Sequence, residues 1–299
     1  MITRTVAFRK KLDRIFLTWS LRFLRCLAAA TPYRMGIWCG ASLGLAAYYL
    51  LPRERSRTYL HLSFVYGDDN PARVRRIARA CFVHLGRSLF EVLLVNPRRL
   101  RRMVTIQGGE SLRSALSAGK GVVVVTGHMG NWELLAHAVA DQYPVSVVAA
   151  PLEPPEVNNM IVRLRGDMGV KTILRGRPGA SRELIRVFKE NRILGILIDQ
   201  DTDVESAFVD FMGKPARTPT AAASMAIKFG APVLFGYIHR GRDGRHTIRF
   251  DGPLELVRTG DDEKDIVSNT AMLTKRIEDC IRENPEQWVW MHRRWRRQP

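Results

Sequence analysis

The sequence predicts an α/β protein with a mostly parallel central sheet flanked by helices, preceded by an N-terminal membrane-associating helical segment. Three observations support this arrangement. From residue 105 onward, short apolar segments alternate with amphipathic segments of helical period. The apolar segments carry almost no polar residues, which is typical of parallel strands covered on both faces. The first 52 residues instead contain long apolar stretches among basic residues.

Size and charge restrict the classes of partner. The chain has 299 residues, 46% of them hydrophobic and 25% charged, which is enough for a substantial buried core. Its 47 Lys and Arg residues outnumber 29 Asp and Glu residues, leaving a formal net charge of +18. Such an excess favours a nucleic acid, an anionic membrane surface or an acidic carrier protein as partner. The four cysteines form no C-x-x-C pair, so we expect reduced thiols rather than a zinc site or disulfides.

The N-terminal residues combine basic and apolar side chains. Residues 1–34 contain eight basic residues and a single acid, Asp13. In the segment RIFLTWSLRFLRCLAAA, the spacing predicts a helix whose apolar face meets lipid while its arginines stay near lipid phosphates. Because Arg22 and Arg25 interrupt the apolar run, a cleavable signal peptide is not expected.

An uncharged stretch, MGIWCGASLGLAAYYLLP, occupies residues 35–52. A helix that spans a bilayer needs about 20 apolar residues, so the length of this stretch is borderline. Its small residues suit close helix packing, and a buried core helix is the alternative; the sequence leaves both open. We divide the chain into a membrane-associating helical segment, residues 1–52, and one further domain, residues 53–299.

The elements of the second region follow in order. Residues 71–102 have helical apolar spacing, with His84 inside the pattern as a structural residue. Strands are then predicted over residues 104–108, 121–128, 145–151, 170–174, 193–199, 231–240 and 246–256. Helices are predicted over residues 110–119, 131–143, 155–169, 179–191, 220–230 and 265–285. This alternation indicates βα units and a parallel sheet.

One predicted strand ends at two titratable side chains. In VVVVTGHMGNWELL, residues 122–135, His128 follows the valine run and Glu133 comes five positions later. In open α/β sheets, functional residues gather at the carboxyl ends of strands, where helices begin. Asn131 is placed to cap the next helix, and Glu133 would lie in its first turn. We expect the intervening turn to bring Glu133 back beside the imidazole of His128.

A histidine beside a carboxylate has a specific chemical use. A neutral imidazole takes a proton from a hydroxyl near neutral pH, while a carboxylate on its other nitrogen fixes the tautomer and stabilises the imidazolium. No Ser or Cys nucleophile lies in this stretch, so the activated hydroxyl would belong to the substrate. A capping histidine with a glutamate at the positive end of a helix dipole is the alternative, and the spacing leaves it open.

Five stretches together resemble one enzyme family. TGHMGNWE, residues 126–133, resembles the H-x4-D/E motif of the glycerolipid acyltransferases and, more narrowly, of the bacterial lipid A acyltransferase family with its related mycobacterial mannoside acyltransferases. Residues 158–173 are similar to its arginine-containing block, and residues 195–233 to its DQ…F-G…T-P block. PEQWVWMHRRW, residues 285–295, resembles its closing signature, and residues 51–69 its N-terminal linker. The resemblance covers most of the chain.

The resemblance implies an acyltransferase. It implies transfer of a fatty acyl chain from a thioester on acyl carrier protein or coenzyme A to a hydroxyl of a membrane lipid, preferably a lipid A precursor. His128 would be the general base and Glu133 its orienting acid. Backbone N–H groups of the turn, including those of Gly130 and Asn131, would bind the oxyanion. Neither a metal nor a cofactor is implied, and the implied location is the cytoplasmic side of the bacterial inner membrane.

Three further polar residues match the family blocks. Arg165 would bind a phosphate on the donor or acceptor, since its planar fork suits two oxygens; a solvated helix face is the alternative. Asp199 and Asp201 end a strand at the same sheet edge as His128, where an acid would support His128, hold a lipid sugar or cap the loop. A loop over the site is expected to contain Phe211, Gly213, Thr218 and Pro219.

The chain ends with WVWMHRRWRR, in which tryptophans and arginines are interleaved. Such residues suit a membrane interface, with indoles at headgroup level, or stacking on nucleobases. The first interpretation agrees with the apolar N-terminus, which a soluble nucleic-acid binder has no reason to carry. Acylation of another glycolipid, a phospholipid or an aminolipid is the alternative within the enzyme class. A basic nucleic-acid-binding protein and an inert lipid-binding scaffold are the alternatives from other classes.

Overall fold

The computed structural model describes residues 31–67 and 69–297 of the chain. The helices are α1 (Tyr33–Leu50), α2 (Pro52–Tyr66), α3 (Pro71–Leu94), α4 (Pro97–Met103), α5 (Gly109–Ser117), α6 (Trp132–Ala140), α7 (Pro155–Asp167), α8 (Ala180–Lys189), α9 (Ala221–Phe229) and α10 (Asp262–Glu283). The strands are β1 (Val104–Gln107), β2 (Val122–Thr126), β3 (Val145–Ala149), β4 (Val170–Leu174), β5 (Ile193–Leu197), β6 (Ser206–Phe211), β7 (Lys214–Pro219), β8 (Val233–Arg240) and β9 (His246–Asp251). The predicted lipid-facing helix before residue 31 lies outside the described residues.

The main sheet has seven strands in the order β1-β9-β8-β2-β5-β3-β4. Strands β8, β2, β5, β3 and β4 run parallel, and β1 is parallel to β9. The β8–β9 pair is antiparallel, because the short connection between these strands cannot make a crossover. The prediction of a mostly parallel sheet flanked by helices is confirmed.

Strand β2 lies in the middle of this sheet, and its side chains alternate between two apolar cores. Val122 and Val124 pack on one face with residues of α5 and α6. Val123 and Val125 pack on the other face with residues of α9 and α10. Because both faces are covered, the strand is a continuous run of valines rather than an apolar–polar alternation. His128, two residues beyond the end of this strand, therefore follows a segment that is packed on both faces.

Helix α1 is buried along one edge only. Gly36, Gly40 and Gly44 face α3, where a Cβ atom on Gly40 or Gly44 would collide with the backbone of Gly86 or Phe82. The opposite side exposes Met35, Trp38, Leu43, Tyr49 and Leu50 to solvent. The sequence left a spanning helix and a buried core helix open. The structure instead shows a helix with a packed glycine edge and an open apolar face.

Within the described ranges, no single helix is both long and apolar enough to cross a bilayer. Helices α1 and α2 reach that length together, but they meet at a bend of 89°.

Residues 71–102 form two helices rather than the single predicted one. Helix α3 ends at Leu94, and α4 begins at Pro97. Asn96 caps α4, since its side chain accepts a hydrogen bond from the backbone N–H of Arg99 at 2.9 Å. The residue before a proline is driven toward extended backbone, which explains why the first helix stops there.

The loop expected over the site is a β-hairpin. Strand β6 pairs with β7 from Ser206–Pro219 to Phe211–Lys214. Met212, with a φ of 60°, and Gly213, with a φ of 81°, form the two-residue turn. Prolines weaken a strand pattern in sequence, which is why the prolines of β7 concealed this hairpin.

Candidate active site

The positions of His128 and Asp199 follow from the register of two adjacent strands. Strands β2 and β5 are parallel neighbours in which Thr126 is paired with Leu197. His128 and Asp199 each lie two residues beyond this pair, so both leave the sheet at the same level. Gly127 permits their close approach, because a Cβ atom there would lie 3.2 Å from Oδ2 of Asp199 and 2.9 Å from the side chain of Ile277.

The imidazole of His128 pairs with the carboxylate of Asp199. Nδ1 of His128 lies 2.7 Å from Oδ1 of Asp199, and the backbone N–H of His128 donates to Oδ2 at 2.7 Å. A carboxylate on Nδ1 keeps a proton on that nitrogen and leaves Nε2 as the acceptor. The His128 side chain is 24% exposed, whereas that of Asp199 is fully buried. The pair thus presents Nε2 of His128 as a proton acceptor, and the buried Asp199 carboxylate holds the imidazole in place.

Asp199 receives a third hydrogen bond from the C-terminal segment. Nε1–H of Trp288 donates to Oδ2 of Asp199 at 2.7 Å. Burial alone would raise the pKa of Asp199, but the charge on His128 and the hydrogen bonds from His128 and Trp288 outweigh it and lower the pKa to about 2. Asp199 is therefore ionised at neutral pH and able to stabilise an imidazolium.

Glu133 lies beside Arg165 rather than beside His128. Nε and Nη2 of Arg165 donate to the two carboxylate oxygens of Glu133 at 2.8 and 2.6 Å, a bidentate pair. Burial would raise the pKa of Glu133, but the hydrogen bonds and charge of Arg165 lower it. The expectation that the turn returns Glu133 to the imidazole is wrong, because Asp199 from the adjacent strand already occupies Nδ1 of His128.

Of the two sequence-based interpretations of Arg165, the structure contradicts the solvated helix face, and phosphate binding stays a prediction. Its side chain is only 16% exposed, so it is not part of a solvated helix face. Burial would lower the pKa of Arg165, but its bonds to Glu133 raise it, so the ion pair is stable. Two of its N–H groups are already used by Glu133, which limits what it can offer a phosphate.

A cavity of about 320 Å³ opens beside His128. Its apolar wall comes from β2, β3, β5, α6 and α7 and includes Val124, Leu135, Val139, Val145, Val147, Ile161 and Ile193. Its polar lining comprises Thr126, His128, Trp132, Glu133, Asn158, Arg165, Arg175, Gln200 and Thr202. This volume is within the range of small-molecule sites, and the lining suits an apolar chain whose reacting end lies at the histidine.

The turn after His128 is held by residues far along the chain. Gly130 has a φ of 58°, and a Cβ atom there would collide with the carbonyl of Ile238. Its N–H donates to the carbonyl of Gln287 at 2.8 Å. Asn131 caps α6 as predicted, because its side chain accepts from the backbone N–H of Leu134. This turn is thus fixed in shape before any substrate binds.

The hydrogen bonding of the turn narrows the choice of oxyanion donors. The N–H groups of His128 and Gly130 are already used by Asp199 and Gln287, so they are not available to an oxyanion. The first N–H groups of a helix have no partner within the helix. Those of Trp132 and Glu133 begin α6, and both residues line the cavity.

A buried charge network supports the turn from behind. Glu91 of α3 accepts hydrogen bonds from Arg240 at 2.6 and 2.9 Å, from Asn131 at 2.8 Å and from His246 at 3.0 Å. Burial would raise the pKa of Glu91, but these hydrogen bonds and charges lower it to about 2. The Glu91 carboxylate thus links α3 to β8, β9 and the helix cap below the cavity.

His84 completes this network as a neutral residue. Its Nε2 lies 3.0 Å from the carbonyl of Gly130, and Arg240 donates to its Nδ1 at 2.6 Å. Burial and the charge of Arg240 lower the pKa of His84 to about 3. The structural role predicted for this histidine agrees with its buried position in α3.

Asp201 is engaged by arginines. Its carboxylate forms ion pairs with Arg217 at 3.4 Å, Arg296 at 3.2 Å and Arg297 at 3.6 Å. Its side chain is fully buried and is not among the residues that line the cavity. In place of capping its loop or holding a sugar, Asp201 ties the C-terminal segment to β7.

The tryptophans of the closing segment belong to the core. Trp288 is 1% exposed and Trp290 0% exposed, and the two rings lie edge to face at 4.8 Å. Arg294 is also buried and donates to the carbonyl of Arg217 and the hydroxyl of Thr218, both at 2.5 Å. The predicted membrane-interface placement is therefore wrong for these three residues, because they pack against the sheet and the hairpin.

Sequence reasoning missed two residues of this site. Glu91 lies on the buried stripe of α3, and an acid at such a position needs buried partners, so the signal was present in the helical pattern. Trp288 carried no comparable signal, since nothing in its neighbourhood along the chain points to Asp199, 89 positions away.

The chain is similar to known acyltransferases over nearly its whole length. A family model described as bacterial lipid A biosynthesis acyltransferase matches residues 6–297. The lipid A biosynthesis lauroyltransferase of Escherichia coli is 24% identical over 293 residues, which cover 96% of this chain and 93% of that protein. The phosphatidylinositol mannoside acyltransferase of Mycobacterium tuberculosis is 26% identical over 216 residues, which cover 70% of this chain and 66% of that protein. The solved structure of the 1-acyl-sn-glycerophosphate acyltransferase PlsC from Thermotoga maritima is 14% identical, covers 75% of this chain and 97% of its own, and has a TM-score of 0.35.

Proposed function

The chain belongs to the bacterial lipid A biosynthesis acyltransferase family, and from this premise we propose that it transfers a fatty acyl chain from a carrier thioester to a hydroxyl of a lipid A precursor. The observation that carries the proposal is the His128–Asp199 pair at the polar end of an apolar cavity. The pair supplies a base for a hydroxyl, and the cavity supplies space for an acyl chain.

In this proposal His128 acts as the general base. Its Nε2 takes the proton of the acceptor hydroxyl as that oxygen attacks the thioester carbonyl carbon, and Asp199 stabilises the imidazolium that forms. The tetrahedral oxyanion collapses, the carbon–sulfur bond breaks, and the leaving thiolate takes the proton from Nε2. The ester and the free carrier thiol leave, and the neutral imidazole is restored.

The oxyanion is bound at the start of α6. The backbone N–H groups of Trp132 and Glu133 replace that of Gly130, which is bonded to Gln287. Donors at a helix N-terminus favour negative charge and need no rearrangement when the oxyanion forms. The Glu133–Arg165 pair then has an indirect part, because it fixes the first turn of α6 against α7.

A second cation of the cavity is better placed to meet a phosphate than Arg165. Arg175 follows β4 at the same sheet edge as His128 and lines the same cavity. Within the part of the chain that the structure describes, its side chain makes no hydrogen bond or ion pair. We assign the phosphate of the donor or acceptor to Arg175, whose guanidinium is uncommitted.

The donor in this proposal is an acyl carrier protein. The formal charge of +18 would steer an acidic protein toward this chain. Coenzyme A thioesters are the alternative donor, and they present phosphates to the same basic surface.

Membrane attachment in this proposal uses the open face of α1. Its exposed apolar side chains would enter the interfacial region of the bilayer, with the described helix lying on the surface. Exposed arginines of α3 and α4 would meet anionic headgroups: Arg73, Arg75, Arg76, Arg79, Arg87, Arg98 and Arg102. The chain would then work on the cytoplasmic side of the bacterial inner membrane.

Mass spectrometry of membrane lipids tests the function. Cells that express the protein are expected to contain a lipid A precursor heavier by one acyl chain than cells without it. His128→Ala is expected to abolish this product while the protein stays folded. His239→Ala is the matched control, because this half-buried histidine does not line the cavity. Full activity of His128→Ala would exclude the mechanism.

The same spectra separate the alternatives. An added chain on another glycolipid, a phospholipid or an aminolipid would keep the chemistry and change the acceptor. Among these acceptors, the similarity to the mycobacterial phosphatidylinositol mannoside acyltransferase favours another glycolipid. No change in any lipid would favour an inert lipid-binding scaffold.

A further inference from the structure

The Asp199 carboxylate is held from two directions. Its Oδ1 atom faces Nδ1 of His128, while Oδ2 accepts from the backbone N–H of His128 and from Nε1 of Trp288, each at 2.7 Å. The two donors to Oδ2 come from segments far apart in sequence. Together with the contact between Oδ1 and Nδ1 of His128, they set the rotation of the carboxylate about its Cβ–Cγ bond.

We propose that Trp288 is a positioning residue for acyl transfer, whose indole N–H fixes the Asp199 carboxylate so that Oδ1 stays on Nδ1 of His128. This inference rests on the proposed function, in which the His128–Asp199 pair is the base. With Oδ1 in place, Nδ1 keeps its proton and Nε2 remains the acceptor. Without the indole N–H, the buried Oδ2 keeps one donor, and the carboxylate gains freedom to rotate away from the imidazole.

Contacts of both its backbone and its ring hold Trp288 in place. Its backbone forms an antiparallel bridge with Met129, the residue that follows His128. Its carbonyl accepts from the Cys81 thiol at 3.0 Å, and its ring lies 5.6 Å from that of Phe211. One residue thus holds both the backbone beside His128 and the carboxylate that orients it, so its indole cannot drift independently of the site.

A neighbouring tryptophan provides a matched control. Trp290 is as buried as Trp288, and its Nε1–H also makes a single hydrogen bond, to the carbonyl of Pro285 at 2.6 Å. Trp288→Phe and Trp290→Phe therefore remove the same atoms and one indole hydrogen bond each. They differ in the acceptor, which is the Asp199 carboxylate for Trp288 and a backbone carbonyl for Trp290.

Steady-state kinetics of the two full-length variants tests the inference. We expect Trp288→Phe to lower kcat about tenfold to a hundredfold with little change in KM, the worth of a hydrogen bond to a charged group. We expect Trp290→Phe to keep kcat within about threefold, although both lose thermal stability. Equal kcat losses in the two variants, or an unchanged kcat in Trp288→Phe, would overturn the inference.

The tautomer of His128 gives a readout independent of turnover. In protein labelled with ¹⁵N histidine, Nδ1 of His128 is expected to be protonated in the wild type and in Trp290→Phe, and a mixture of tautomers in Trp288→Phe. An unmixed tautomer in Trp288→Phe would contradict the inference. If Trp288→Phe does not fold, replacement of Trp288 by its benzothienyl analogue removes the N–H and keeps the ring shape, and the same outcomes apply.

Failure of the proposed function would look different. In that case the wild-type protein would itself transfer no acyl chain from the carrier thioester. If only the assignment of the base were wrong, His128→Ala and Asp199→Asn would show wild-type transfer, whatever Trp288→Phe does. If those two variants are inactive and Trp288→Phe matches Trp290→Phe, the base is correct and the positioning role is not.

Discussion

The two acids considered as partners of His128, Asp199 and Glu133, have different hydrogen-bond partners. Asp199 accepts from His128 and Trp288 and is in direct contact with the imidazole. Glu133 gives both oxygens to Arg165, in the manner of a structural ion pair. At the residue scale, the carboxylate in contact with the histidine is that of Asp199, and the five-residue spacing along the chain does not bring Glu133 into that position.

Paired substitutions separate these two acids. Asp199→Asn removes the charge that stabilises the imidazolium, and we expect kcat to fall by about 10³- to 10⁴-fold, as for the aspartate of a serine protease triad. Glu133→Gln weakens one bond to Arg165 and is expected to keep kcat within about tenfold. Steady-state kinetics with an acyl carrier protein thioester measures both. A larger loss in Glu133→Gln than in Asp199→Asn would reverse the assignment.

At the scale of single elements, α1 has a packed glycine edge and an exposed apolar face. Its glycine edge lets its backbone touch that of α3, which keeps the helix on the protein. Its other face leaves Trp38 69% exposed and Leu50 75% exposed, in a helix next to the arginine-rich α3. A helix bound on one edge and apolar on the other is suited to lie at a bilayer surface.

Vesicle binding measures this property of α1. We expect Trp38→Glu to weaken binding to vesicles rich in anionic lipid roughly thirtyfold, because the burial of one large side chain is worth about 2 kcal/mol. Val267→Glu is the control, an exposed apolar residue on α10 that lies outside this face. Cosedimentation of the full chain gives both affinities. Equal weakening by both substitutions would show a general charge effect and not a membrane-facing helix.

At the scale of the whole molecule, buried ionisable groups make stability depend on pH. Burial lowers the pKa of His84 to about 3 and that of His137 to about 4. Between pH 6.5 and these values, the unfolded chain binds protons that the folded chain does not, so stability falls as pH falls. The pKa of Asp199 and that of Glu91, each lowered to about 2, extend the loss below pH 4.5. All four groups lower the free energy of unfolding as the pH falls, so the stability maximum is expected above pH 6.5.

The contribution of one histidine can be isolated. Both ring nitrogens of His137 are buried without a hydrogen-bond partner among the described residues. His137→Leu is expected to reduce the pH slope of unfolding free energy by about one proton, or ~1.4 kcal/mol per pH unit, between pH 6 and 4. Urea denaturation at pH 7, 6, 5 and 4 gives this slope. A slope equal to that of the wild type would show that His137 is protonated when folded.

Much of the architecture follows from local patterns in the chain. The apolar runs predict the parallel strands, the helical spacing predicts the helices between them, and the position after four valines places His128 at the carboxyl edge of the sheet. Asn131 as a helix cap was predictable for the same reason, since caps depend on neighbours a few residues away. The family resemblance added the acyl chemistry, which the spacing of residues along the chain does not indicate.

The sequence by itself determined the fold class, the place of His128 and the enzyme family. Only the tertiary structure decided that Asp199 contacts the imidazole of His128, that Glu133 pairs with Arg165, and that Trp288 donates to the same Asp199 carboxylate. It also decided that α1 is packed on one edge and open on the other. The physical reason is common to all of these. Side-chain partners are set by which strands become neighbours, in what register, and by which backbones come close enough to touch, and these relations join positions tens of residues apart.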